Sequence, residues 1–289
     1  MAEHAGGPGH GMAQALANAL SAGLVRLDAQ LLLLHALDKS TAERAWLVAH
    51  DQDALPFDAA ARFGALCARR AQGEPLAYLI GQQEFFGLTL AVDARVLIPR
   101  PDTETLVNWA LEPLQPPLSP AARVLDLGTG SGAIALALKQ TRPAWQVSAI
   151  DASPDAVAVA QSNAQALGLD VQVTLSRWLE RVSGEFELIV SNPPYVREGD
   201  PHLTALDHEP AQALTAGADG LDDLRRIIAA APGHLAGGGW LLLEHGWDQA
   251  APVSGLLRAR GFEAVESRPD LAGILRCTGG RWPDAGRGH

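Results

Sequence analysis

The sequence predicts an α/β protein with a mostly parallel sheet covered by helices on both faces. From Arg123 onward, short apolar runs typical of strands alternate with stretches of helical periodicity, and such alternation indicates βαβ units. The first of these runs ends in a glycine-rich loop that opens a helix. Residues 12–75 show only the helical pattern. Because 289 residues is long for one domain, a helical domain ahead of an α/β domain is expected.

Residues 11–75 are predicted to form an N-terminal bundle of four or five helices. Leucines recur there at helical spacing, at Leu24, Leu27, Leu31, Leu34 and Leu37. Ser40 followed by Glu43 fits a capping box that opens a short helix, and Pro56 and Gly73 bound a longer one. Residues 1–10 and 281–289 are expected to be tails.

Residues 76–100 are predicted to form a β-hairpin that connects the bundle to the α/β domain at 101–280. Gly81 and Gly87 separate short apolar runs there, as in a hairpin. A proline-rich segment, EPLQPPLSPAAR, comes before the first strand of the sheet and is expected to be a loop.

Seven strands are predicted in the α/β domain, at RVLDLG, WQVSAID, VQVTLS, FELIVSN, GGWLLLEHG, EAVESRP and GILRCTG. Helices are predicted at about 131–140, 154–167, 220–236 and 247–260. In sheets of this kind, ligands bind beyond the carboxyl ends of the strands. The chemistry is therefore expected at the ends of the first, second and fourth strands.

The overall charge argues against a nucleic-acid partner. The formal net charge is −11, and the longest basic runs are Arg69-Arg70 and Arg225-Arg226, whereas phosphate-binding proteins carry a basic patch. Cys67 and Cys277 lack the spacing of a metal site or a disulfide framework, which suits a reducing compartment. The run LLLLHAL is too short to cross a membrane, and no signal peptide is recognised. A cytoplasmic protein without a metal or membrane contact is expected.

The glycine-rich loop, Asp126 to Ala133, predicts a nucleotide-like cofactor. Gly128, Gly130 and Ala133 satisfy the G-x-G-x-x-G/A pattern, and Asp151 at the end of the second strand can accept the hydroxyls of a ribose. A pyrophosphate would be repelled by a further carboxylate at Asp126, whereas a cationic ligand would be attracted. This favours S-adenosyl-L-methionine over NAD.

The turn VSNPPYV follows the fourth strand and predicts a rigid clamp for an –NH2 group. Two prolines fix the backbone and remove N–H donors, so Asn192 and Pro193 present oxygen acceptors. Two such acceptors can take both hydrogens of an amide, while Tyr195 lies against its plane. Holding the nitrogen with its lone pair toward a methyl donor favours the transition state. The alternative is that Asn192 to Tyr195 only ends the strand.

Several segments together resemble the PrmC/HemK family of release-factor glutamine methyltransferases. They are VLDLGTGSGAIALAL, SNPPYV, LLLEHGW, LIPRPDTETLV and EFFG, and the similarity spans roughly residues 15–280. The Asn-Pro-Pro-Tyr turn also occurs in adenine-N6 DNA methyltransferases, but LIPRPDTE is more specific. The resemblance implies a Rossmann-like methyltransferase sheet and transfer of a methyl group from S-adenosyl-L-methionine to the glutamine amide of the Gly-Gly-Gln motif in class-1 peptide-chain release factors.

The resemblance also implies roles for individual residues. The cofactor-binding residues that it implies are Gly128, Thr129, Gly130, Ser131, Gly132, Asp151, Trp178 and Asn192, and Asp126 is added to them because of its charge. The expected substrate clamp is Asn192, Pro193, Pro194 and Tyr195, of which Asn192, Pro193 and Tyr195 are the expected catalytic residues. The helical domain would recognise the release factor, and a monomer is expected. Core packing is the alternative interpretation for Trp178.

Three features stay open. Relatives often carry an acid immediately before the tryptophan, where this chain has Arg177, which cannot accept the adenine amino group. The Arg100–Glu104 stretch is assigned no chemical step, and a hinge between hairpin and catalytic domain is the leading interpretation. Glu244 and His245 are expected to make local hydrogen bonds.

The rival functions are an amino methyltransferase acting on adenine or guanine, an NAD-dependent oxidoreductase, and a binding module without activity.

Overall fold

The computed structural model describes residues 11–112, 114 and 117–284 and divides the chain into two compact units, Met1–Gly81 and Gln82–His289. Three predicted segments lie wholly or partly outside the described residues: the tail at 1–10, the end of the tail at 281–289 and part of the proline-rich segment. The first unit is all-helical, and the second contains the hairpin and the α/β sheet. No helix in the described part of the chain is both long and apolar enough to span a bilayer.

The first unit has five helices among its described residues. They are α1 (Met12–Ser21), α2 (Arg26–Ala36), α3 (Arg44–Ala49), α4 (Phe57–Ala71) and α5 (Leu76–Ile80). Fully buried leucines of α2, Leu32 to Leu34, lie in their shared core with Phe63 of α4. Arg70 of α4 donates to Asp28 of α2 across 2.7 Å.

The predicted capping box is only half right. Glu43 Oε1 accepts the Ser40 N–H at 3.0 Å, as in a capping box, but α3 begins at Arg44, after Glu43. The Ser40 hydroxyl instead accepts the Ala42 N–H at 3.3 Å. The two residues therefore close a turn ahead of the helix.

The hairpin is shorter than predicted. Its antiparallel strands are β1 (Gln82–Phe85) and β2 (Leu88–Ala91). Residues 76–80, assigned to the hairpin from the sequence, form α5 instead, because Leu76, Leu79 and Ile80 pack into the helical core. The left-handed Gly81 (φ +78°) ends that helix.

The second unit is built on a seven-stranded sheet in the order β5-β4-β3-β6-β7-β9-β8. The strands are β3 (Arg123–Leu127), β4 (Gln146–Asp151), β5 (Gln172–Leu175), β6 (Phe186–Ser191), β7 (Leu235–Glu244), β8 (Glu263–Pro269) and β9 (Leu275–Arg281). The first five pair in parallel, and β9 runs antiparallel to β7 and β8. The predicted α/β class and all seven predicted strands are confirmed.

Helices cover both faces of the sheet, as predicted. They are α6 (Glu104–Leu111), α7 (Ala133–Thr141), α8 (Pro154–Leu167), α9 (Asp222–Ala230) and α10 (Ala250–Arg260). The first three pack into one apolar cluster and the last two into the other. Successive residues of β3 enter opposite clusters, Val124 one and Leu125 the other, as strand geometry requires.

The helix predicted at 220–236 is too long. The α-helix α9 ends at Ala230, a single 3-10 turn follows at Ala231–Gly233, and β7 already begins at Leu235. Pro232 has no N–H to continue the helical hydrogen bonds. The strand therefore gains residues that the sequence pattern had placed in the helix.

Candidate active site

The sheet order brings the predicted site elements together. β3 lies between β4 and β6, so the loops after these three strands meet at one edge, where ligands bind in open α/β sheets. A cavity of about 380 Å³ opens there. The predicted residues that line it are Gly128, Gly130, Asp151, Trp178, Asn192 and Pro194.

The glycine loop has the backbone geometry of a cradle. Gly128, Gly130 and Gly132 all have left-handed φ angles, between +55° and +88°, which residues with a Cβ rarely adopt. A Cβ at Gly128 would lie 3.4 Å from the Trp178 ring, and one at Gly132 would lie 2.9 Å from Leu136. Glycine at these positions therefore lets the loop adopt this shape without backbone strain.

Asp126 is placed behind the loop and does not line the cavity. Its Oδ2 accepts the Thr129 hydroxyl at 2.6 Å and the Ala135 N–H at 3.3 Å. Burial raises the pKa of Asp126 to about 7. Thr129, Ser131 and Gly132 are likewise absent from the cavity lining. The direct cofactor contacts expected of these four residues stay predictions. In the structure, Asp126 contacts the loop and the start of α7, and the Ser131 carbonyl accepts from Asn163 Nδ2 of α8 at 2.8 Å.

Asp151 joins the loop to the end of β4. Its Oδ2 accepts the Gly130 N–H at 2.9 Å, and its Oδ1 accepts the Ser153 N–H at 2.9 Å. Burial raises its pKa, and these hydrogen bonds oppose that effect. Since each oxygen keeps a second lone pair, the carboxylate can still accept hydroxyl groups from the cavity side.

Trp178 both lines the cavity and packs against an apolar cluster of the sheet. Its φ angle is +46°, and its indole N–H donates to Asp223 Oδ1 at 3.2 Å. Asp223, which also pairs with Arg226 at 2.8 Å, lines the same cavity. The sequence analysis missed Asp223, a carboxylate that lines the same cavity as Arg177.

The Asn-Pro-Pro-Tyr turn lies between two cavities. A second cavity of about 230 Å³ is lined by Asn192, Pro193 and Tyr195, together with Leu97, Arg100, Val196, Leu206, Ala213 and Leu214. Asn192 borders both cavities. Its Nδ2 donates to the Thr103 hydroxyl at 3.1 Å. The Tyr195 carbonyl accepts from Gln249 Nε2 at 3.1 Å, so the turn is fixed by its neighbours.

Glu244 and His245 make local hydrogen bonds, as expected, but Glu244 also reaches the site. Its Oε1 accepts the Tyr195 hydroxyl at 3.3 Å. Burial raises the pKa of Glu244 to about 7, and hydrogen bonds from Thr103 and Tyr195 act against that rise. His245 Nδ1 lies 2.9 Å from the Gly246 carbonyl, and its Nε2 lies 2.7 Å from the Thr278 hydroxyl. Burial lowers the pKa of His245.

The Arg100–Glu104 stretch, which was assigned no chemical step and was interpreted as a hinge, makes four polar contacts with other segments. Arg100 pairs with the buried Glu209, and Asp102 pairs with Arg276 at 3.4 Å. Thr103 accepts from Asn192. Glu104 Oε1 accepts the backbone N–H of Phe86 in the hairpin turn at 3.0 Å. The stretch therefore ties the hairpin to the candidate site within one compact unit.

Comparisons with known proteins agree with this arrangement. Residues 12–81 match the family model of the PrmC N-terminal domain, and residues 108–245 match that of the methyltransferase small domain. The fold is similar to that of Thermus thermophilus 16S rRNA N2 G1207 methyltransferase, whose structure was solved with AdoMet and guanosine. The match covers 70% of this chain and 49% of the Thermus chain, at 21% sequence identity and a TM-score of 0.51. At that identity the likeness concerns the fold alone.

Sequence relatives are much more similar. Release factor glutamine methyltransferase of Xylella fastidiosa is 50% identical over 93% of this chain and 98% of its own length. The Bordetella pertussis protein of the same name is 50% identical over 89% of this chain and 95% of its own length. The resemblance found from the sequence motifs is thereby confirmed. The chain belongs to the family of release factor glutamine methyltransferases.

Proposed function

We propose that the protein transfers the methyl group of S-adenosyl-L-methionine to the side-chain amide nitrogen of the glutamine in the Gly-Gly-Gln motif of class-1 peptide-chain release factors. The observation that carries the proposal is the position of Asn192 at the boundary of two cavities. The larger cavity has the size and lining expected of a cofactor site. The smaller cavity has the size expected for a single substrate side chain. The relatives' names supply the substrate.

The larger cavity fits the proposed cofactor. Its volume of about 380 Å³ lies within the range of small-molecule sites. Gly128 and Gly130 let the backbone approach a ligand, Asp151 offers a carboxylate for ribose hydroxyls, and Trp178 offers a flat apolar surface. When bound, the cofactor supplies an electrophilic methyl group on a cationic sulfur.

The smaller cavity fits a glutamine side chain. Leu97, Val196, Leu206 and Leu214 provide apolar walls for its two methylene groups. At the Asn192 end, the side-chain Oδ1 and the Pro193 carbonyl are the acceptors proposed to bind the two amide hydrogens. An amide nitrogen is a poor nucleophile because its lone pair is delocalised. Holding both N–H groups while the lone pair turns toward the methyl donor would bind the transition state more tightly than the resting amide.

Tyr195 is proposed to support the amide plane and not to act as a base. Burial raises the pKa of its phenol, and its hydroxyl already donates to Glu244. It therefore keeps its proton at neutral pH. The substrate nitrogen becomes acidic once it is methylated, so its proton can leave late, without a general base.

Mass spectrometry of a release factor before and after incubation with S-adenosyl-L-methionine tests the proposal. One added methyl group on the Gly-Gly-Gln glutamine is expected. A parallel incubation with DNA and RNA tests the amino methyltransferase alternative, which the net charge of −11 disfavours. Methyl transfer to nucleic acid alone would overturn the proposed substrate.

Asn192→Ala is expected to reduce methyl transfer by at least about a hundredfold. The variant lacks the Asn192 oxygen, one of the two acceptors of the clamp, next to the substrate nitrogen whose charge changes during the transfer. Cofactor binding, measured by calorimetry, should change much less, since most of the larger cavity is untouched. Turnover within threefold of the parent protein would contradict the clamp.

A further inference from the structure

Asn163 of α8, which the sequence analysis did not single out, is a buried polar side chain that connects two other segments. Its exposed fraction is 3%. Buried amides are normally hydrogen-bonded, and this one makes three hydrogen bonds to backbone groups. Two of them go to the hairpin and one goes to the glycine loop, which lie 72 and 32 residues away along the chain.

The contact with the hairpin is made at the last residue of β2. Asn163 Oδ1 accepts the Ala91 N–H at 2.8 Å, and Asn163 Nδ2 donates to the Ala91 carbonyl at 3.0 Å. A residue of a neighbouring antiparallel strand would exchange the same two hydrogen bonds. The side-chain amide therefore takes the place of a further strand at the end of the hairpin.

The contact with the glycine loop is made in the middle of that loop. Asn163 Nδ2 also donates to the Ser131 carbonyl at 2.8 Å. Gly130, the residue before Ser131, lines the larger cavity, and its N–H donates to Asp151. Asp151 and Asn163 belong to β4 and to the helix that follows it. The two hydrogen bonds therefore hold the middle of the loop against one strand–helix unit.

Only one orientation of the Asn163 amide satisfies all three hydrogen bonds. The carbonyls of Ala91 and Ser131 can only accept, and the Ala91 N–H can only donate. The reverse orientation would set the amide oxygen against both carbonyls and the amide nitrogen against the N–H. Because one NH2 group serves both carbonyls, a movement of the hairpin that displaces this side chain also disturbs the loop.

We propose that Asn163 is a positioning residue that couples the hairpin to the glycine loop. A ligand that orders the loop then stabilises the hydrogen bonds at Ala91, and loss of those hydrogen bonds weakens ligand binding, because coupling between two sites is reciprocal. The inference rests on the proposed function, since it takes S-adenosyl-L-methionine as the ligand of the larger cavity. Asn163 does not line that cavity and acts through Ser131.

Hydrogen exchange of the Ala91 amide tests the coupling in the parent protein. The probe is S-adenosylhomocysteine at about 100 times its Kd, and its binding should slow this exchange by at least about tenfold and at most about a hundredfold. An unchanged rate in a protein that binds the probe would overturn the coupling and leave the proposed function standing. A parent protein that does not bind the probe would instead contradict the proposed function.

Asn163→Ala separates this response from a general gain in stability. Without the side-chain amide, the Ala91 N–H should exchange faster, and the probe should slow it by less than about twofold. Gln161→Ala is the matched control and should keep the parent response. Gln161 lies on the same helix, and its Nε2 donates to the Val173 carbonyl of β5 at 3.1 Å. A probe effect as large in Asn163→Ala as in the parent would overturn the role of Asn163.

Asn163→Asp keeps the size of the side chain and the acceptor for Ala91, and it replaces the donor by an oxygen that faces two carbonyls. At pH 8, calorimetry should show probe binding weakened by at least about tenfold. The KM for S-adenosyl-L-methionine should rise by a similar factor, with kcat within about threefold of the parent, because the clamp is untouched. Gln161→Glu, the matched charge change, should bind the probe like the parent.

Parent-like affinity in Asn163→Asp would contradict the positioning role. A fall in kcat with an unchanged KM would contradict it as well, because the loss would then lie outside cofactor binding. If Asn163→Asp does not fold, the exchange response of the parent protein and of Asn163→Ala still decides.

Discussion

At the scale of single residues, the backbone of the glycine loop packs closely against the Trp178 ring. Gly128 has a φ angle of +72°, and its α-carbon faces the Trp178 ring. Trp178 is itself held by Asp223. A side chain at position 128 would thus strain the backbone and push on the Trp178 ring, which borders the larger cavity.

We expect Gly128→Ala to weaken binding of S-adenosyl-L-methionine by at least tenfold, because the new Cβ would lie 3.4 Å from Trp178 in a backbone conformation unfavourable for alanine. Calorimetry measures the affinity. Gly168→Ala is the matched control: Gly168 also has a left-handed φ (+65°), at the end of α8, with no atom within 4 Å of the new Cβ. Both variants should lose about 1 kcal/mol of stability, but only Gly128→Ala should lose affinity. Equal affinities would contradict the ring contact.

Glu244 gives a second residue-scale prediction, which concerns pH. Burial raises its pKa from 4.5 to about 7 in the folded protein. Between these pH values the folded state keeps a proton that the unfolded state releases, so stability falls as the pH rises through this window. The groups that act on Glu244 are Thr103, Tyr195, Asp102, Arg276 and the facing Cys277.

Glu244→Gln abolishes this titration. Relative to the parent protein, the free energy of unfolding of the variant should rise between pH 5 and pH 8, by on the order of 3 kcal/mol. Urea denaturation followed by tryptophan fluorescence measures it. The constant part of the difference, due to the altered hydrogen bonds, cancels in the comparison of the two pH values. A difference that does not vary with pH would show that Glu244 is not the buried acid described here.

At the scale of elements, the 3-10 turn Pro101–Thr103 and the start of α6 organise what lies around them. Thr103 contacts the turn after β6 through Asn192, and Glu104 contacts the turn between β1 and β2 through Phe86. Phe86 has a left-handed φ of +51°, which is unusual for an aromatic residue. The carboxylate of Glu104 thus helps to hold a strained hairpin turn.

Replacing Glu104 by alanine should loosen this turn, because the Phe86 N–H loses its acceptor. Hydrogen exchange of that amide is expected to accelerate by about tenfold. Glu104→Gln keeps a carbonyl oxygen at the same place and should leave the exchange near the parent rate. Similar exchange in the alanine variant and in the parent protein would mean that the turn is held by the strands alone.

At the scale of the whole molecule, the chain consists of two compact units that divide at Gly81. The helical unit is the one predicted to recognise the release factor, and the sheet unit contains every residue of the proposed clamp and cofactor pocket. The strong negative charge disfavours binding to phosphate backbones.

A monomer is predicted. Sedimentation velocity should give a single species near the chain mass of 30.4 kDa across a hundredfold range of concentration. Activity per milligram should stay constant over that range. A dimer whose dissociation lowers activity would contradict the prediction.

The sequence by itself determined the α/β class, the seven strands, the glycine loop, Asp151 and the Asn-Pro-Pro-Tyr turn. These features depend on local backbone rules: glycine for left-handed φ angles, proline for a fixed turn, and apolar periodicity for strands. It also identified the family, because the motifs stand in a distinctive order along the chain.

Only the tertiary structure decided which distant side chains complete the site. Thr103 is 89 residues from Asn192, Asp223 is 45 from Trp178, and Glu244 is 49 from Tyr195. Local sequence cannot show such pairs, because they depend on the order in which strands assemble into the sheet. The same order places Asp126 behind the loop. Which side chains border the two cavities is therefore decided by pairings that only the folded chain brings together.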